Sequence, residues 1–151
     1  MRLTQYTDFS LRVLIYLGVH GHERGRCTIR EISRAYGISR NHLMKVVQQL
    51  AAEGFVDSVR GVGGGLSLSV APEALNVGRI VRAMEPDFNL VECMRPGNAC
   101  VITPACGLAG MLREAREAFL SVLDQHTLAD MLAPSRRIEL SNLLGIRLEP
   151  A

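Results

Sequence analysis

Apolar and aromatic positions recur at helical spacing near the start of the chain. Phe9, Val13, Tyr16, Leu17 and His20 line one face, which predicts a first helix from Thr7 to about His20, with Thr7 or Asp8 placed to cap its free amides. Gly21 to Cys27 is polar and turn-like. Thr28-Ile-Arg-Glu31 spells a capping box, in which hydroxyl and carboxylate satisfy each other's backbone donors, and Ile32, Ala35 and Tyr36 continue an apolar face as far as Gly37. Ser39 predicts the cap of a third helix whose buried stripe is Leu43, Val46, Val47 and Leu50, ending at Gly54. Two short helices joined by a glycine turn form a helix-turn-helix, whose second helix enters the DNA major groove with its N-terminal residues foremost. At that end of the outward face stand Ser39, Arg40, Asn41, His42 and Lys45, donors suited to base edges and phosphates.

The pattern then changes period. Phe55 to Val59 and Leu66 to Val70 read as strands, the second alternating Leu66, Leu68 and Val70 with Ser67 and Ser69. They flank Arg60-Gly-Val-Gly-Gly-Gly65, so a hairpin tipped by glycines and an arginine follows the recognition helix directly. Such a wing is thin enough for backbone at Gly63, Gly64 and Gly65 to approach a sugar-phosphate chain or the minor groove, with Arg60 beside it. A nucleotide-binding loop is excluded, because those glycine motifs open a helix and these lead into a strand. Thr28, at the start of the preceding helix, joins the candidate DNA-contacting residues.

After Pro72, Val77, Ile80, Val81 and Met84 predict a short helix ending before Pro86. Beyond a loop, Leu108, Met111, Leu112, Ala115, Phe119, Val122 and Leu123 form an apolar stripe about four turns long. Thr127-Leu-Ala-Asp130 is another capping signature, and Leu140, Leu143 and Leu144 give a last amphipathic piece. Little chain remains to cover the long stripe, so a second copy is the expected partner. The expected architecture is mainly α with a small β-hairpin wing. A winged helix-turn-helix DNA-binding domain spans 1–76, a connecting helix and cysteine-rich loop 77–107, and a dimerisation helix with C-terminal helical segments 108–151.

Composition narrows the class. The 151 residues are 48% hydrophobic and 21% charged, proportions of a folded globular chain and not of a disordered one. The apolar run Val13 to Val19 falls short of the ~18 residues of a membrane span, and Arg2, Gln5 and Asp8 interrupt what a secretory signal would keep apolar. A cytoplasmic location without membrane attachment is expected. Nine Lys or Arg against six Asp or Glu in residues 1–76 place the basic excess in the helix-turn-helix half, and sixteen of the seventeen basic residues of the chain are Arg. No Ser-His-Asp order, paired-carboxylate motif or nucleotide loop marks an enzyme.

The loop carries the remaining chemistry. Cys93, Cys100 and Cys106 have six and then five residues between them, with Pro96, Gly97 and Pro104 forcing turns. Structural zinc favours close Cys-x-x-Cys pairs, absent here, whereas an iron-sulfur cluster spreads its bonds over several irons and tolerates wider spacing. Three thiolates leave one iron of a 4Fe-4S cluster to be held from elsewhere. Cys27 is a formal candidate, though an isolated cysteine is commonly a small buried hydrophobe, and Asp8 is another, though it could equally be a helix cap. A zinc site completed by His126 or a carboxylate stays open.

These pieces together resemble the winged-helix iron-sulfur regulators, and within that family its nitric-oxide-sensing repressors. The resemblance spans nearly the whole chain and is carried by Leu3-Thr-Gln-Tyr-Thr-Asp-Phe9, Ile38-Ser-Arg-Asn-His-Leu43, Arg60-Gly-Val-Gly-Gly-Gly-Leu66, the three cysteines and Phe119-Leu-Ser-Val-Leu-Asp-Gln-His-Thr-Leu-Ala-Asp130. It implies a homodimer that binds double-stranded DNA at a palindromic operator and represses nitric-oxide detoxification genes. It also implies an iron-sulfur cluster on Cys93, Cys100 and Cys106, of 4Fe-4S form with 2Fe-2S left open, whose remaining iron can be bound by an aspartate of the other subunit, matching Asp8. Another branch of the family carries a histidine three residues after its last cysteine; this chain has Ala109 there. A regulator of the same family answering iron-sulfur status or redox, or a zinc-containing one, is the alternative function.

Overall fold

A computed structural model describes residues 2–21 and 24–147; His22 and Glu23 of the expected turn, Met1 and residues 148–151 lie outside the described residues. Helix α1 spans Gln5–His20 and starts earlier than its periodicity predicts. Neither Thr7 nor Asp8 caps it. The cap is Thr4, extended at φ −65° and ψ 156°, whose side chain accepts from the Thr7 amide while its carbonyl accepts from Asp8 at 3.0 Å. Glu85, far away in sequence, completes the cap by accepting from the Thr4 amide at 3.1 Å, the Thr4 hydroxyl at 3.0 Å and the Thr7 hydroxyl.

Helix α2 covers Ile29–Tyr36 and α3 Arg40–Ala52. The capping box of Thr28 and Glu31 is formed on both sides. Between the helices Gly37 stands at φ 65° and ψ 23°, a left-handed conformation in which a side chain costs free energy. Ser39 then caps α3 by accepting from the His42 amide. Leu43 and Leu50 are fully buried and Val46 and Val47 nearly so, as the stripe requires.

Strands β1 (Val56–Val59) and β2 (Gly65–Leu68) pair antiparallel, with Val56 opposite Leu68 and Val59 opposite Gly65. A third partner was invisible in the sequence. Cys27 exchanges backbone hydrogen bonds with Leu66, amide to carbonyl at 3.0 and 2.7 Å, and so ties the entry to α2 to the outer edge of the wing. Its side chain is fully buried, and burial pushes the thiol up to about 12. Cys27 is therefore a core residue held as neutral thiol, and its candidacy as a ligand ends there.

Helices α4 (Val77–Met84), α5 (Leu108–Asp124), α6 (Leu128–Met131) and α7 (Pro134–Leu144) follow. None of the described helices is long and apolar enough to cross a membrane. Helix α1 packs against α3, α4, α6, α7 and β2, so one core runs from Val13 and Leu14 through Ile32, Leu50 and Ile80 to Leu128 and Ile146. Each fully buried Leu or Ile contributes on the order of 2 kcal/mol, which fixes α1 from several sides. Helix α5 contacts α4 and the Glu92–Met94 turn, Ala109 and Leu120 are its buried residues, and Arg82 of α4 pairs with Asp124 near its end. Of its predicted stripe, Leu112, Phe119 and Leu123 are half-buried, while Leu108, Met111 and Val122 are exposed.

Candidate nucleic-acid interface and cysteine loop

The start of α2, the start of α3 and the base of the wing enclose one groove. Its lining includes Thr28, Arg40, Asn41, Gly64 and Gly65, five of the residues expected to meet DNA. Ile29 and Leu66 line it too, as do Arg30, Met44, Ser58 and Val59, which were not singled out from the sequence as DNA contacts. Periodicity could have found Arg30, which lies on the polar face of α2 away from the buried Ile32. Met44 and Val59 are apolar and gave no signal.

The other expected residues stand around the groove and not in it. Ser39 is occupied by capping, and the Thr28 hydroxyl by Glu31, to which it donates at 2.7 Å. The His42 ring lies 6.3 Å from Phe9, and the Lys45 carbonyl accepts from the Tyr6 hydroxyl at 2.9 Å. That flank of α3 is thus fastened to the start of α1, and burial raises the Tyr6 pKa, keeping the hydroxyl a donor. Arg60 and Gly63 are exposed at the tip of the wing. Among the described residues, Arg30, Arg40, Lys45 and Arg60 form no ion pair with a carboxylate, leaving their charge available to phosphates.

The wing tip is sterically demanding. A Cβ at Gly64 would overlap the Val59 carbonyl oxygen and come within 2.9 Å of the Arg60 carbonyl carbon and the Gly61 oxygen, all backbone atoms that cannot step aside. Gly64→Ala is expected to reshape the tip while leaving the helical core folded, and to weaken DNA binding about tenfold, a loss of ~1.4 kcal/mol. Unchanged affinity in a titration at constant salt would remove the wing from the interface.

The cysteine loop joins α4 to α5. Cys93 lies in a short 3-10 turn, Glu92–Met94, and Glu92 reaches across to accept from the Ala99 amide at 3.0 Å, tying the residue before Cys93 to the residue before Cys100. The Cys100 carbonyl accepts from the Thr103 amide at 3.2 Å, and the Thr103 carbonyl from the Cys106 amide at 3.4 Å. Glu92 and Thr103 are thus the tethers of the loop, and only their place beside the cysteines hinted at it. All three thiols are free and half-buried. The structure does not gather them: among the described residues, no three His, Cys, Asp or Glu side chains stand together as a metal site. The donor set nevertheless has the soft chemistry of a thiolate-held cluster.

Two proposed auxiliary ligands are placed as well. Asp8, one turn into α1, pairs with Arg12 at 2.8 Å, and both side chains are partly exposed. His126 follows α5, whereas Cys106 precedes it. Seventeen helical residues separate their surroundings by roughly 25 Å. A zinc site using His126 and the loop of the same chain is thereby ruled out.

Residues 3–134 match the model of the Rrf2 family, described as iron-dependent transcriptional regulators. The chain is 49% identical over 133 residues to the HTH-type transcriptional regulator NsrR of Bacillus subtilis, covering 87% of this chain and 90% of that one. It is 44% identical over 148 residues to the NsrR of Geobacillus kaustophilus, covering 97% and 99%. Among solved structures, a transcriptional regulator from Listeria innocua superposes with a TM-score of 0.72 at 30% identity, covering 89% of this chain and 88% of that one. T. potens IscR shares the fold, with a TM-score of 0.72 at 23% identity and coverage of 92% and 91%.

Proposed function

The chain belongs to the Rrf2 family and is a DNA-binding transcriptional regulator, not an enzyme, and from that premise we propose that it acts as a homodimeric repressor responding to nitric oxide through an iron-sulfur cluster. The observation that carries the reading is the groove between α2, α3 and the wing, lined by Asn41 and by Arg30 and Arg40, which form no ion pair among the described residues. Arg40 and Asn41 at the start of α3 suit guanine and adenine edges in the major groove. Arg30 and the N-terminal amides of α2 suit an adjacent phosphate, and Arg60 and the glycines of the wing suit the backbone beyond. Two copies related by a two-fold axis would read half-sites about one helical turn, or a multiple, apart.

Cys93, Cys100 and Cys106 would hold the cluster, in 4Fe-4S form or alternatively 2Fe-2S, with Asp8 of a second copy as the remaining ligand. Bound there, the group supplies iron that is open to nitric oxide at the position no thiolate holds. The path from loop to groove is made of this chain's own contacts. The loop leaves α4 directly after Glu85; Glu85 grips Thr4 and Thr7 at the start of α1, and Tyr6 of that same turn grips the Lys45 carbonyl of α3. A shift of α4 relative to α1 would therefore reach the recognition helix through the hydrogen-bonded side chains of Glu85, Thr4, Thr7 and Tyr6. Asp8 lies on the same first turns, so pulling on its carboxylate moves the same lever.

The test is preparation without oxygen, followed by selection of bound duplexes from a random DNA pool at one fixed salt concentration, since phosphate contacts make affinity steeply salt-dependent. The reading expects a coloured protein whose visible absorption and operator binding are both lost on adding nitric oxide. Colourless protein that binds its selected duplex with or without nitric oxide would overturn the sensing reading while keeping the regulator.

A further inference from the structure

The groove that holds Arg40 and Asn41 also exposes two apolar side chains. Met44 is 50% exposed and Val59 43% exposed, and both line it beside Asn41, Ser58 and Gly64. Met44 follows Arg40 by four residues and Asn41 by three, so the three share one face of α3, away from the core stripe of Leu43, Val46, Val47 and Leu50. Val59 ends β1 opposite Gly65, after the exposed polar Asp57 and Ser58. A single exposed hydrophobe is ordinary on a protein surface. Two in one groove, lined also by Ile29 and Leu66 and set next to donors suited to bases, call for an apolar counterpart. Arginine reads guanine and asparagine reads adenine through hydrogen bonds, and neither recognises the one apolar group in the major groove, the 5-methyl of thymine. Methionine's unbranched, polarisable thioether adapts to such a group.

We propose that Met44, backed by Val59 across the groove, is a specificity-determining residue that reads the 5-methyl group of a thymine in the operator. The proposal rests on the DNA-binding reading above and adds the base class that its polar residues leave unread. In each half-site one thymine is set apart from the others by this contact.

The experiment uses the full chain and a duplex it selects from a random pool, with each thymine replaced in turn by deoxyuridine, which lacks only the methyl group. At one thymine per half-site the replacement is expected to weaken binding about fourfold, the worth of burying one methyl group at about 0.8 kcal/mol. In Met44→Ala that thymine loses its sensitivity, while the responses at other positions stay as they are. Met44 is exposed, so this variant keeps its core. If the wild type and Met44→Ala respond alike at every thymine while both bind the duplex, the proposal is overturned and DNA binding stands. If the wild-type chain selects no duplex, the DNA-binding reading falls and the proposal with it.

Discussion

Cys93→Ala, prepared without oxygen, is expected to lose the visible absorption of the wild type and to bind its operator at least about a hundredfold more weakly, a difference of ~2.7 kcal/mol. The loop offers three thiols, and two cannot replace three around a cluster whose irons each need a ligand. Complete conversion between mostly bound and mostly free would take about 5.5 kcal/mol of differential stabilisation. A hundredfold effect is therefore well within what the loss of metal-ligand bonds supplies. Cys27→Ala provides the contrast. Its thiol is fully buried and held protonated by burial, so removing it should cost on the order of 1–2 kcal/mol in denaturant unfolding and leave the absorption unchanged. An intact spectrum in Cys93→Ala, or a bleached one in Cys27→Ala, would exchange the roles assigned to the loop and the core.

Met111→Asp is expected to convert the protein to monomer in analytical ultracentrifugation and to reduce operator affinity by roughly 10²- to 10⁴-fold, because two linked half-site contacts become two separate ones. Met111 is 63% exposed on α5, in line with the exposed Leu108 and Val122, while the buried Ala109 and Leu120 lie on another side of the helix. An aspartate there meets water in the single chain and costs little, so far-ultraviolet circular dichroism should stay that of the wild type. Facing a second apolar stripe, the same carboxylate would be buried without a partner, at a cost of several kcal/mol. A variant that still sediments as a dimer would place the interface elsewhere than α5.

Elements whose causes are local were legible from residue types alone. The capping box of Thr28 and Glu31, the Ser39 cap, the left-handed Gly37 and the stripe of α3 each involve atoms within a turn or two of one another, and they stand where the pattern put them. The hairpin was readable for the same reason, since β1 and β2 are joined by a short glycine turn, although β1 starts one residue late and β2 runs from Gly65 to Leu68 and not from Leu66 to Val70. The spacing put the three cysteines in one loop, but it showed neither that their thiols stand apart in the structure nor the tethers Glu92 and Thr103 that shape the loop.

What was misread depended on partners distant in sequence. The start of α1 was placed late because the carboxylate that completes its cap is Glu85, 81 residues from Thr4 and not three. Cys27 kept an open role until its backbone was seen paired with Leu66 and its side chain sealed in the core. Met44 and Val59 gave no signal in the sequence, and it is the groove that places them together. The sequence by itself determined the helices and the wing, because periodicity, caps and turn residues act over short range, and its motifs carried the resemblance to the family. Only the tertiary structure decided which residues share the groove and how α4, α1 and α3 are hooked together. Those juxtapositions come from packing a single core, and no local rule encodes which surfaces it brings face to face.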